Sequence, residues 1–128
     1  MERRTVLAVS PFAETAGYSR VVRVGPHAWV AGTAPIMPGD ADPPADAYGQ
    51  AHRCLEIAIA ALGEVDASAA NVVRTRIMLT RAEDFAEIAR AHGEVFGQVL
   101  PVNTSYVVGA LLDPRWLLEI ELEAFVPQ

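Results

Sequence analysis

The chain has 128 residues, 52% of them hydrophobic, a formal net charge of −6 and one cysteine. That length suits one domain, residues 1–128, and the apolar share exceeds what a lone small domain needs, so some apolar surface is expected between subunits. The acidic balance and the scattered arginines exclude a nucleic-acid partner, no apolar run approaches the ~18 residues of a membrane span, and Val6-Leu7-Ala8-Val9 is too short for a signal peptide, which leaves a cytoplasmic protein without membrane contact.

Arg20 to Ala34 reads as a β-hairpin, with Val21–Val24 and Ala28–Ala31 flanking Gly25-Pro26-His27. His27 is read as a turn residue. A proline-stiffened loop follows from Pro35 to Pro44. Asp46 to Glu64 is predicted as a helix, because Tyr48, His52, Leu55, Ile59 and Leu62 recur at helical spacing. The lone Cys54 falls inside that pattern and reads as a small buried hydrophobe. Val72 to Thr80 is rich in β-branched residues and reads as a strand.

Thr80-Arg81-Ala82-Glu83 has the form of a capping box opening a second helix that buries Phe85, Ile88, His92, Val95 and Phe96. Two strands, Asn103 to Ala110 and Trp116 to Val126, close the chain. The order β-β-α-β-α-β-β predicts an α+β fold with both helices on one face of a mixed sheet. In the last strand Leu118, Ile120, Leu122 and Ala124 alternate with Glu119, Glu121 and Glu123. One face therefore packs on helices. The other holds carboxylates that need cations, water or a neighbouring subunit.

Several short stretches carry a resemblance. Gly17-Tyr18-Ser19-Arg20 looks like Gly-Pro-Tyr-Ser-Gln, and Val30-Ala31-Gly32-Thr33-Ala34-Pro35 like Val-Ser-Gly-Gln-Ile-Pro. Gln50 with Leu55, Asn71–Thr75, Asp84-Phe85-Ala86 and Leu118-Glu119-Ile120-Glu121 add to the series. Together, in this order, they resemble the RidA/YjgF family of enamine and imine deaminases, also called the endoribonuclease L-PSP family. The resemblance implies a fold like trimeric chorismate mutase and a homotrimer with clefts between subunits. It implies hydrolysis of 2-imino acids there, with no metal or organic cofactor and with Glu119 positioning the attacking water.

Three positions depart from the family pattern. Asn103 stands where the family has the arginine that grips a substrate carboxylate, Thr33 replaces a glutamine and Ala89 replaces an asparagine. A carboxamide lacks the charge and the bidentate fork of a guanidinium. In a dry site the loss is about 2–5 kcal/mol of carboxylate binding. These changes together point to a divergent branch with altered specificity. The alternative is a ligand-binding or protein-partner trimer that lost catalysis. The ribonuclease activity attached to some family members finds no support in an acidic chain.

Glu119 is thus the candidate catalytic residue, against an alternative as an interface carboxylate paired with an arginine. Asn103 and Thr104 are candidates for the substrate's polar end, Thr33 is a candidate at the cleft, and Tyr18 either lines the cleft or is a packed strand aromatic. Arg74 and Arg76 share a strand face and are expected to pair with strand carboxylates, Arg76 also being a candidate carboxylate anchor. His92 is read as a core histidine bonded to a backbone group, or else as a titrating cleft residue. Trp29 and Trp116 are assigned to core or interface. The three histidines show no metal-site spacing.

Overall fold

The computed structural model describes all residues 1–128. Six strands form one sheet: β1 Arg3–Leu7, β2 Ser19–Val24, β3 His27–Thr33, β4 Val72–Leu79, β5 Val102–Val107 and β6 Leu118–Phe125. The spatial order is β1-β2-β3-β6-β4-β5. Only β4 and β5 run parallel, so the sheet is mixed. Helices α2, Ala47–Gly63, and α3, Phe85–Phe96, pack on one face of the sheet; α1 is a single turn at Ala13–Ala16. The α+β class and its two main helices are as expected. No helix is long and apolar enough to cross a membrane.

The first strand was not legible in the sequence. Arg3-Arg4-Thr5-Val6-Leu7 is an edge strand with little buried apolar surface, so it carries almost no periodic signal. Its place is set by contacts distant in sequence. It pairs with β2, and the Arg4 guanidinium donates to the carbonyls of Glu64 and Val65 and to Asp66 at the end of α2.

Helix α2 begins at the expected place, with the Asp46 carboxylate accepting the Gly49 N–H at 2.7 Å. Its buried face differs from the predicted stripe. Ala47, Ala51, Cys54, Leu55, Ala58, Ala61 and Leu62 face the sheet, whereas Tyr48 and Ile59 are only partly buried. The small residues let the helix lie close to the strands, and a stripe drawn through the largest side chains is rotated from the true one. Tyr48 instead reaches α3, where its hydroxyl bonds Glu94 and the Arg90 guanidinium lies 3.7 Å from its ring centre.

At α3 the expected capping box does not form. A 3₁₀ turn at Ala82–Asp84 leads in, and Arg81 grips Asp84 through two 3.0 Å hydrogen bonds. Ile88, Ala91 and Phe96 are buried, but Phe85 is largely exposed, a correction to the predicted stripe. His27 is likewise not in the turn. It opens β3, stacking on Trp29 and meeting Phe125 edge-on.

Strand β6 alternates as predicted: Leu118, Ile120, Leu122 and Ala124 are buried. It starts at Leu118 rather than Trp116 because a turn at Asp113–Trp116 precedes it. Strand β5 ends at Val107, short of the predicted Ala110.

Candidate functional site

Two β-bulges, each one extra residue, shape the region around Glu119. In β3 the pairing with β6 shifts between Val30 and Thr33, which brings Gly32 over the Glu119 side chain. A Cβ placed on Gly32 would stand 3.7 Å from a Glu119 carboxylate oxygen, in ordinary van der Waals contact with it. In β2, Ser19 pairs with Leu7 and Val21 with Val6, leaving Arg20 as the extra residue. Arg20 and Val21 are therefore consecutive buried residues, at 6% and 0% exposure. Tyr18, Arg20, Gly32, Trp116 and Glu119 line one small chamber of about 30 Å³, the space of a single water.

Glu119 is half-buried, and its carboxyl pKa is raised. Desolvation is the main cause, the neighbouring Glu121 adds to it, and Arg20 opposes it. A partly dry carboxylate beside a water-sized space is suited to orient and deprotonate water.

Arg20 is the site residue that sequence reasoning missed. Its signal was present, since it stands at the family's glutamine position and Thr33 stands at another. The two are in contact: Arg20 Nη1 donates to Thr33 Oγ1 at 3.2 Å, and Thr33 donates to the Ala31 carbonyl at 2.8 Å. Thr33 is fully buried, so it acts on Arg20 rather than on a ligand.

The remaining candidates separate by face. On the outer face, away from α2 and α3, a groove of about 410 Å³ is lined by Tyr18, Trp29, Arg76, Glu121 and Glu123 among others. Arg76 lies 3.2 Å from both Glu121 and Glu123, and Arg74 is 3.5 Å from Glu123, which is the expected pairing with strand carboxylates. Thr104 is exposed beside Arg76 in register.

Asn103 turns the other way. Its Nδ2 donates to Thr75 Oγ1 at 2.9 Å, and its Oδ1 accepts from Ser105 Oγ at 3.0 Å. Thr75 Oγ1 also meets His92 Nε2 at 2.9 Å. Either group can donate in this contact, the direction being set by the imidazole tautomer. The partner of His92 is therefore a side-chain hydroxyl, not the backbone group expected. Within one protomer, Glu119 and Tyr18 do not share a cleft with Asn103 and His92.

Burial lowers the His92 pKa below its ordinary 6.5. The unfolded chain then binds a proton more readily than the folded one, so this histidine costs no stability above pH 6.5 and an increasing amount as pH falls from there to its folded pKa. Between pH 7.5 and 5, the His92→Gln variant is expected to lose less unfolding free energy than the unsubstituted protein in urea titrations. Equal losses would show that the imidazole is not held neutral. Cys54 is buried in the core, which pushes its thiol well up and leaves it inert.

A six-stranded mixed sheet backed by two helices on one face is the α+β fold of the YjgF/L-PSP class. The chain belongs to that family, YjgF/RidA, matching Endoribonuclease L-PSP over residues 9–126. It is similar to the crystal structure of Rv2704 from Mycobacterium tuberculosis, a member of the YjgF/YER057c/UK114 family, at 38% identity and a TM-score of 0.89, covering 98% of this chain and 100% of that one. An uncharacterized protein of Streptomyces coelicolor, SCO2049, is 35% identical over 95% of this chain and 91% of its own. The structure of E. coli TdcF with bound serine superposes at a TM-score of 0.81 and 25% identity, over 97% of this chain and 94% of that one.

Proposed function

We propose that this chain forms a homotrimer that binds a small metabolite in clefts between subunits and hydrolyses an imine, enamine or related C–N bond there. The observation that carries this reading is Glu119, half-buried at a water-sized chamber beneath Gly32. Glu119 and Tyr18 from one subunit meet Asn103, Thr104 and His92 from the next. Within one protomer Glu119 and Tyr18 lie on the face opposite Asn103 and His92, which favours that arrangement, as do the exposed Trp29 and Phe125 on the outer face. The serine held by TdcF supports a ligand of amino-acid size. A cytoplasmic location belongs to the same reading, and the chemistry below uses protein side chains and water alone.

The Glu119 carboxylate accepts a proton from water as the oxygen attacks the imine carbon. A C–O bond forms, the C=N π electrons move to nitrogen, and nitrogen takes up a proton. Glu119, having passed its proton to nitrogen, takes the carbinolamine hydroxyl proton and delivers it to the amine, so that the C–N bond breaks, ammonia leaves and a carbonyl forms. Asn103 has one amide N–H uncommitted and Thr104 has an exposed hydroxyl, and these two hold the polar end of the substrate. Arg76 is compensated by Glu121 and Glu123, so it joins the interface network rather than serving as the carboxylate anchor.

A second reading, a ligand-binding trimer without catalysis, is favoured by one observation. The Asn103 amide is turned onto Thr75 and Ser105 and brings no cation to the cleft. A coupled assay separates the two readings. An amino-acid dehydratase supplies 2-iminobutanoate, and release of the 2-oxo acid is followed with and without the chain. Acceleration supports the hydrolase. Co-expression of Glu119→Ala with Asn103→Ala chains then tests the shared cleft: mixed trimers contain some intact sites, so activity returns to a fraction of the unsubstituted level. No acceleration in the first assay favours the binding module.

A further inference from the structure

The bulge in β2 has a second consequence, on the helix side of the sheet. The Arg20 side chain makes one hydrogen bond, to Thr33, and no ion pair, although an arginine carries five N–H donors. Its other nitrogens have no protein partner and are not sealed from solvent, so the guanidinium keeps free donors at an opening. It opens on a cavity of about 640 Å³ between β2, α2 and the loop after β3, whose walls include Val9, Ile36, Met37 and Ile57.

A second guanidinium, Arg53 on α2, lines the same space, held by the Ile36 carbonyl at 2.8 Å and by Glu56. Asp40 is the one acid in the lining, and Arg115 grips it at 3.0 Å. Arg53 is paired with Glu56 and Asp40 with Arg115, so Arg20 is the one charge in the lining of this metabolite-sized cavity without an ion-pair partner.

We propose that this cavity binds a small monocarboxylate with an aliphatic body, its carboxylate on Arg20 with Arg53 nearby and its hydrocarbon against Ile36, Met37 and Ile57. A planar fork with unused donors matches a carboxylate, and the apolar walls match the chain behind it. The site is distinct from the outer-face groove and does not depend on imine chemistry. Arg20 also stands in the wall of the Glu119 chamber, so an anion bound on it alters the charge that Glu119 meets.

Calorimetric titration with hexanoate and with hexanamide, its neutral isostere, tests the proposal. Hexanoate is expected to bind at least 10-fold more tightly than the amide. Arg20→Gln should erase that preference, and Arg20→Lys, which keeps charge without the fork, should retain part of it. Ile57→Trp fills the cavity and should abolish binding of both, while Asn103→Ala leaves binding intact. The proposal is overturned by equal affinity for acid and amide, by an unchanged preference in Arg20→Gln, or by undiminished binding in Ile57→Trp. Should Arg20→Gln fail to fold, the isostere comparison and the Ile57→Trp variant still decide.

Discussion

Substituting Glu119→Gln is expected to lower imine turnover by about 10²–10⁴-fold, the range a positioned general base contributes. The same change should leave the melting temperature unchanged or higher. A carboxamide keeps the size and shape of the side chain but cannot accept a proton from water. The raised carboxyl pKa supplies the stability half of this expectation. A carboxyl whose pKa is higher folded than unfolded costs stability at every pH above the folded value, because burial disfavours the charged form. Removing the charge removes that cost. Loss of function with retained or improved stability is the signature of a site that holds a strained charge for chemistry.

The pH dependence adds a second check on the same group. If ionised Glu119 acts on water, the acid limb of kcat/KM lies above the ordinary glutamate range, in the direction set by desolvation and Glu121. Turnover that survives Glu119→Gln with an unmoved acid limb would assign the base elsewhere. A large fall in stability with the loss of turnover would mean that the carboxylate is a structural interface group.

Substituting Gln50→Leu is expected to cost about 2–4 kcal/mol of folding stability, more than any surface change in this chain. Gln50 is buried at the start of α2. Its Nε2 donates to the Pro44 carbonyl at 2.9 Å and to the Arg115 carbonyl at 3.0 Å, and its Oε1 accepts the Leu117 N–H at 2.8 Å. One carboxamide thus ties the loop before α2 to the entry of β6. Leucine has the volume but strands three backbone groups, each costing about 1–3 kcal/mol if it stays dry. The expected cost is lower than three full penalties because the Arg115 segment is partly exposed and admits water.

Urea unfolding at matched protomer concentration measures this, since assembly contributes to the apparent stability of an oligomer. A change below about 0.5 kcal/mol would show that the entry to β6 is held by other contacts. Because Leu117 directly precedes the strand that carries Glu119, the variant should also raise KM or lower kcat if any activity is present.

The alternation of Leu118, Ile120, Leu122 and Ala124 with three glutamates made β6 and its two faces legible from the sequence alone. So did the β-branched run of β4, the Asp46 start of α2 and the order of strands and helices. These features are local, because a side chain's face in a strand follows from its parity and a helix start from its capping residue. Motif order also carried the family and made Glu119 the candidate residue. What the tertiary structure alone decided lies at points of long-range pairing. The edge strand β1 exists because β2 offers a partner and α2 offers acceptors for Arg4. The alanine-lined face of α2 was set by how closely the helix must approach the sheet. The two bulges, each a single residue of slippage between strands distant in sequence, turned Arg20 inward and set Gly32 over Glu119. Register between strands is fixed by the packing of whole faces against one another. Linear sequence therefore named the glutamate, while only the folded sheet revealed the buried arginine beside it.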